Sequence, residues 1–158
     1  MRTGYSEWSA AWMTNEPPRV VLVRHGETAW SRDRRHTGRT DIPLTALGEV
    51  QAAALAPRLA AWHFTQVLVS PLSRARLTAE LAGLEDPQTC EDLVEWDYGE
   101  YEGKRSVDIR KIRPGWNAFQ DGCPGGEMPS DVAARADRLI ARLAAACGRI
   151  ATGGCGRS

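Results

Sequence analysis

Two short apolar runs stand out along the chain. Arg19-Val20-Val21-Leu22-Val23 halts at Arg24-His25-Gly26, and Gln66-Val67-Leu68-Val69-Ser70 halts at Pro71. Continuous rather than alternating apolarity predicts strands buried on both faces, as in parallel sheets. Between them Leu47, Val50, Ala54, Leu55, Leu59 and Trp62 recur at helical spacing behind Thr45 as N-cap, with Pro57 expected to bend the helix or end it early. Strand, helix and strand make a right-handed parallel unit. Ser73 is expected to cap a second helix from Arg74 to about Ala82, and Thr89 to Leu93 reads as a short third strand. Leu93 to Gly126 is rich in glycine and proline, a loop length that in a compact domain usually marks a functional cover. A third helix starts at Ser130 or Asp131, with Val132, Ala136, Leu139, Ile140, Leu143 and Cys147 as its buried stripe and its arginines outward. The class is α/β. Residues 1–18 show no sustained period and end in Pro17-Pro18, which predicts a loosely ordered lead-in. Trp8 and Trp12, four apart, could form one apolar turn in it.

At 158 residues the chain suits one domain. No run reaches the roughly 18 apolar residues of a membrane span, and the first residues lack the apolar core of a secretory signal. Twenty basic residues balance twenty acidic ones, so the surplus positive charge that draws a protein to nucleic acid or an acidic membrane is missing. Cys90, Cys123, Cys147 and Cys155 have neither close pairing nor histidine at metal spacing, so free thiols, no metal and a cytoplasmic location are expected. All the basic residues but Lys104 and Lys111 are arginine. With the abundant alanine, that bias looks like GC-rich coding, yet arginine is also the preferred fork for phosphate and carboxylate.

Ligands in open α/β sheets bind beyond the carboxyl ends of the strands. That rule selects Arg24-His25-Gly26 after the first run and Ser70 to Arg76 after the second. The second leads into a helix N-terminus, which adds N–H donors and partial positive charge. The expectation is an arginine-lined anion pocket holding one imidazole.

These residues carry a resemblance. Leu22-Val23-Arg24-His25-Gly26-Glu27-Thr28 is similar to the signature of the histidine phosphatase superfamily. The likeness continues in order through His36 to Thr45, Ser70 to Arg76, Glu95 to Gly103 and Pro124-Gly125-Gly126-Glu127. It implies a phosphoglycerate mutase-like fold, three-layer αβα around a mostly parallel sheet, over residues 19–148. It also implies that His25 is the nucleophile and forms a phosphohistidine, with Arg24 and Arg74 clamping the transferring phosphoryl group. Glu95 would protonate the leaving alkoxide and later activate water. Ser31, Thr37, Gly38 and Tyr98 would meet the substrate, a small phosphorylated metabolite, with no cofactor.

The chain departs from the family pattern in places. Ser31 stands where many relatives have Asn. Trp96 and Asp97 stand where the mutases carry a basic residue and a histidine, and the mutases' basic insertion is missing, which favours a phosphatase over a mutase. Trp30-Ser31, Thr37-Gly38-Arg39-Thr40-Asp41 and Trp96-Asp97-Tyr98-Gly99 together are similar to the sugar-bisphosphatase-like branch. The family's second histidine, on a strand after the last helix, has no counterpart in Ile150-Ala151-Thr152-Gly153-Gly154-Cys155. The Gly-rich residues 149–158 have the composition of an out-of-frame reading of a GC-rich gene. The expectation is a C-terminally shortened member with impaired turnover, an incomplete sheet, and an exposed sheet edge inviting association or aggregation. A non-catalytic phosphate binder and a mutase are the alternatives.

Overall fold

The computed structural model describes residues 19–151. The lead-in expected over 1–18, and residues 152–158 of the expected tail, lie outside the described residues. Helices and strands follow in the order α1 (Ala29–Arg32), α2 (Ala46–Ala53), α3 (Ala56–Leu59), β1 (Leu68–Val69), α4 (Ser73–Leu81), β2 (Gln88–Thr89), α5 (Ser106–Ile112), α6 (Ala118–Asp121) and α7 (Pro129–Ala151). Single 3₁₀ turns occupy Glu91–Leu93 and Gly99–Tyr101. β1 and β2 pair in parallel, Leu68 beside Gln88 and Val69 beside Thr89. The architecture is α/β with a parallel sheet, which among the described residues has two strands. Of the strand expected over Thr89 to Leu93 only Thr89 lies in β2, and Glu91–Leu93 is the 3₁₀ turn instead.

Local chemistry explains the segment between the apolar runs. The Thr45 hydroxyl accepts from Gly48 N–H at 3.1 Å and starts α2. Pro57, in the first turn of α3, cannot donate to the preceding turn, so the predicted helix divides at Ala54–Leu55. Its buried face differs from the expected one. Of the expected stripe Leu59 is buried, but Leu47, Val50 and Trp62 are exposed, whereas Gly48 and Ala52 are buried, Ala52 to 1% exposure. The backbones of Gly26 and Gly48 approach so closely that a Cβ on either would overlap the other strand of chain. Small residues therefore face inward, where a pattern built on large side chains pointed elsewhere.

The first apolar run is a second correction. Residues 19–23 form neither helix nor strand, and Leu22 is 87% exposed. A strand buried on both faces needs ladder partners and cover. Among the described residues this run has no ladder partner.

The glycine-rich stretch is the third. It carries α5, α6 and the main aromatic core of Trp96, Tyr101, Ile109, Trp116 and Cys123. Tyr101 meets Trp116 edge to face at 5.1 Å, and the Trp116 indole N–H donates to Gly122 O at 2.9 Å. The segment expected as a cover is a packed layer. Helix α7 lies against the Glu91–Leu93 turn and α6 through one side. Val132, Leu139 and Leu143 are half-buried, but Ala136 and Ile140 are exposed, and Cys147 lies beyond the described side chains. Arg135 points inward, against expectation, because its guanidinium forks the Glu127 carboxylate at 2.9 and 3.1 Å. Among the described residues no helix is long and apolar enough to cross a membrane.

Ile109, at 0% exposure, is the fully buried aliphatic of this layer. Ile109→Ala is expected to cost about 2–5 kcal/mol in urea unfolding. Val107→Ala, on the exposed side of the same helix, should stay within about 0.5 kcal/mol.

Candidate active site

Arg24, His25, Arg74 and Glu95 line one cavity of about 640 Å³, together with Val21, Val23, β1, Leu139 and Leu143. The four predicted chemical residues are thus brought together, at the polar end of a largely apolar space.

His25 is half-buried, and its Nδ1 lies 2.7 Å from Gly26 O. A carbonyl can only accept, so Nδ1 carries the proton and Nε2 keeps its lone pair. Burial lowers the His25 pKa below its ordinary value. The Gly26 bond pulls it back up, and the Arg74 and Arg24 charges lower it further, against Glu95. The ring is held as a neutral imidazole with Nε2 as the reactive nitrogen. Its loop is pinned to α4 through Thr78, whose hydroxyl accepts from Gly26 N–H at 3.1 Å and donates to Arg74 O at 2.7 Å.

Arg74 sits in the first turn of α4 and is 2% exposed. Its guanidinium donates to Thr40 O at 3.0 Å, Gly38 O at 2.7 Å and Thr37 O at 3.4 Å. The helix is capped by Asp41 rather than by the Ser73 side chain. Asp41 Oδ1 accepts from Ser73 N–H at 3.0 Å and from the Ser73 hydroxyl at 2.8 Å. Arg24 and Glu95 are exposed, and Glu95 Oε1 accepts from Trp96 N–H at 2.7 Å. Ser70, next to the cavity, is buried, and its Oγ has no hydrogen-bond partner among the described residues.

The residues expected to meet substrate fall outside this lining. Ser31 and Thr28 form a reciprocal capping box on α1, so the Ser31 hydroxyl is engaged there. The Thr37 hydroxyl donates to Arg35 O, and the Gly38 N–H is taken by Glu102 Oε1 at 2.9 Å. The Gly38 amide is therefore not free for a phosphate oxygen. Tyr98 meets the His36 ring at a tilt of 41°, with centroids 4.5 Å apart. Burial and the Glu95 charge push its phenol up to about 12, so it remains a hydrogen-bond donor at ordinary pH. Asp41 and Glu102 lie within motifs whose sequence assigns them no role, and Thr78 lies outside every motif, yet all three hold backbone groups around the cavity. Glu127 closes the Pro124-Gly125-Gly126-Glu127 motif and acts in the same way. Its Oε2 accepts from Asp97 N–H at 2.8 Å, and its carbonyl accepts from the Trp96 indole, so it fixes the segment carrying Glu95. Among the described residues no cluster of His, Cys, Asp and Glu could hold a metal.

Comparison with known proteins accords with this geometry. An acid phosphatase of Mycobacterium tuberculosis is 43% identical over 125 residues, covering 78% of this chain and 62% of that protein. A sedoheptulose 1,7-bisphosphatase of Saccharomyces cerevisiae is 36% identical over 156 residues, covering 83% and 57%. A "Probable phosphoglycerate mutase GpmB" of Salmonella choleraesuis is 37% identical over 138 residues, covering 79% and 61%. The chain thus spans about three-fifths of the length of these curated relatives. Among solved structures, the product of a Mycobacterium tuberculosis open reading frame superposes with a TM-score of 0.71 at 43% identity, covering 74% of this chain and 62% of that one. An Escherichia coli protein described as a putative alpha-ribazole-5'-P phosphatase gives 0.68 at 34% identity, covering 77% and 64%. The phosphoglycerate mutase-like fold follows from these superpositions. The family profile runs over residues 20–151 and takes in every residue of the cavity's polar end, so the chain belongs to the histidine phosphatase superfamily, branch 1.

Proposed function

We propose that the chain cleaves phosphomonoesters through a phosphohistidine at His25, with small sugar phosphates or bisphosphates as substrates. The observation that carries this reading is the His25 ring itself, neutral at Nε2 and sharing one cavity with two guanidiniums and a carboxylate. In the proposed reaction the Nε2 lone pair forms a bond to phosphorus as the ester P–O bond breaks, and Glu95 gives its proton to the leaving alkoxide. Water then attacks the phosphohistidine and gives a proton back to Glu95, which releases inorganic phosphate and restores the imidazole. Arg24 and Arg74 carry the equatorial oxygens' charge.

Hydrolysis is favoured over phosphoryl return because no cation stands beside Glu95 in the next two positions. Trp96 is buried, and Asp97 is paired with Arg39 at 3.0 Å. Sugar-phosphate substrates are suggested by the bisphosphatase relative. Turnover is expected to be slow, because His25 is the one described histidine lining the cavity. His36 is bonded to Ser106, and His63 is outside the lining. A missing clamp donor costs about 10²–10³ in rate. Free Cys90 and Cys123 thiols fit a reducing compartment, so cytoplasm belongs to the same reading.

Incubation with ³²P-labelled substrate and acid-free isolation should trap phosphate on His25, with steady-state turnover about 10²–10³ below that of the mycobacterial acid phosphatase measured alongside. His25→Ala should abolish the label. Wild-type protein that takes up no label overturns the reading, and fast turnover overturns the impairment.

The lowered His25 pKa sets the sign of the pH dependence. Protonation removes the Nε2 lone pair, and a depressed pKa postpones that loss to lower pH. The acid limb of labelling, and the His25 ring titration by NMR, should therefore both fall below pH 6.5. Midpoints at or above that value count against the neutral-ring assignment.

The exposed 19–23 run is expected to drive self-association. Light scattering should show oligomers for the wild type and a shift toward monomer in Leu22→Lys. A monodisperse wild-type monomer overturns this expectation.

A further inference from the structure

Glu102 accepts from four backbone amides. Oε1 accepts from Gly38 N–H at 2.9 Å, Arg39 N–H at 3.1 Å and Tyr98 N–H at 3.3 Å, and Oε2 from Thr40 N–H at 3.4 Å. Two of these amides share a peptide plane with carbonyls that hold Arg74. The Gly38 N–H belongs to the peptide whose oxygen is Thr37 O, and the Arg39 N–H to the peptide whose oxygen is Gly38 O. Each peptide is thus clamped between an anion on its N–H side and a cation on its C=O side. Hydrogen bonds in such a series polarise one another, so the carboxylate strengthens the carbonyls on which the guanidinium depends. The Glu102 charge also acts directly on Arg74.

The loop is built around this contact. A Cβ on Gly38 would overlap Trp96 O and Glu102 Oε1, so any other residue there would push the carboxylate away. Glu102 is itself anchored to the start of the same loop, because Gly103 N–H donates to His36 O at 2.8 Å and His36 N–H donates to Lys104 O at 2.9 Å.

We infer that Glu102 is a positioning residue, setting the orientation of the Arg74 guanidinium through the peptide planes of Thr37–Gly38 and Gly38–Arg39. It also joins the 38–40 loop to the segment that carries Glu95, since the same carboxylate holds Tyr98 N–H there. Its effect on phosphate recognition rests on the proposed function, whereas its effect on Arg74 does not.

The test uses the full chain with Glu102→Gln, Glu102→Ala, Arg74→Lys and the Glu102→Gln/Arg74→Lys double variant, each checked by circular dichroism. Gln is isosteric and keeps one acceptor oxygen, so it carries the test if Ala fails to fold. The first readout is the Arg74 side-chain Nε–H signal in a ¹⁵N-edited NMR spectrum, assigned by its loss in Arg74→Lys. Glu102→Gln should shift this signal and speed guanidinium rotation. The second is inorganic phosphate affinity by calorimetry, expected to fall about tenfold in Glu102→Gln. In the double variant it should fall no further than in Arg74→Lys, because both changes act through one guanidinium. An unmoved Arg74 signal overturns the inference, and so do effects on affinity that multiply. If the Arg74 signal moves while wild-type protein binds no phosphate, the positioning role stands and the phosphate reading fails.

Discussion

Burial of the Arg74 guanidinium is the constraint around which the rest is arranged. A cation at 2% exposure loses its hydration and must find acceptors in the protein, or the desolvation cost, several kcal/mol, is left uncompensated. Its acceptors are main-chain carbonyls of residues 37–40 rather than a single carboxylate. Carbonyls hold the guanidinium in place without neutralising it at close range, so positive charge remains available to the cavity. The fold then has to hold those carbonyls, and Glu102 does so from the opposite side of the same peptides.

The His25 loop is registered to this arrangement through few contacts, each short. Thr78 passes a hydrogen bond from Gly26 N–H to the Arg74 carbonyl. Thr45 N–H donates to Glu27 O at 2.9 Å, and Gly26 and Gly48 meet backbone to backbone. Small residues at this crossing let α2 lie close enough to fix the loop. The ring orientation, and with it the tautomer at Nε2, then follows from a bond to the adjacent carbonyl.

Motif order is what marks the expected chemical side chains in the sequence, and strand-end position holds for Arg74 alone, after β1, because residues 19–23 form no strand. His25, Arg24, Arg74 and Glu95 do share a cavity. Residues acting on the main chain were not legible. Glu102, Asp41 and Thr78 bind amides and carbonyls brought close by folding, and no spacing rule encodes such partners. Among the elements, β1 lies within its apolar run, and α4 and the start of α7 lie close to where the sequence places them. Helices α5 and α6 went unseen because each spans at most two turns between glycines, and their core is made by Trp96, Tyr101 and Trp116 rather than by a stripe. The run at 19–23 was misplaced for another reason. Composition reports a preference for burial, while burial itself needs a partner strand on either side.

That last difference bears on how evenly the site is organised. Charge stabilisation in a transition state is effective to the extent that the charges are fixed beforehand, since a group that must reorganise spends part of its interaction on doing so. Arg74 meets that condition, held by three carbonyls in the interior. Arg24 does not meet it to the same degree. It is exposed at the end of a run that belongs to no ladder among the described residues, where water screens its charge. The cavity is therefore bounded by hydrogen-bonded main chain on its α4 side and by main chain outside any ladder of the described residues on its 19–24 side, with His25 at the junction. Whatever pairs with residues 19–23 would do more than cover apolar surface: it would fix the backbone that delivers Arg24. Pairing residues 19–23 and fixing the backbone at Arg24 are therefore one physical step.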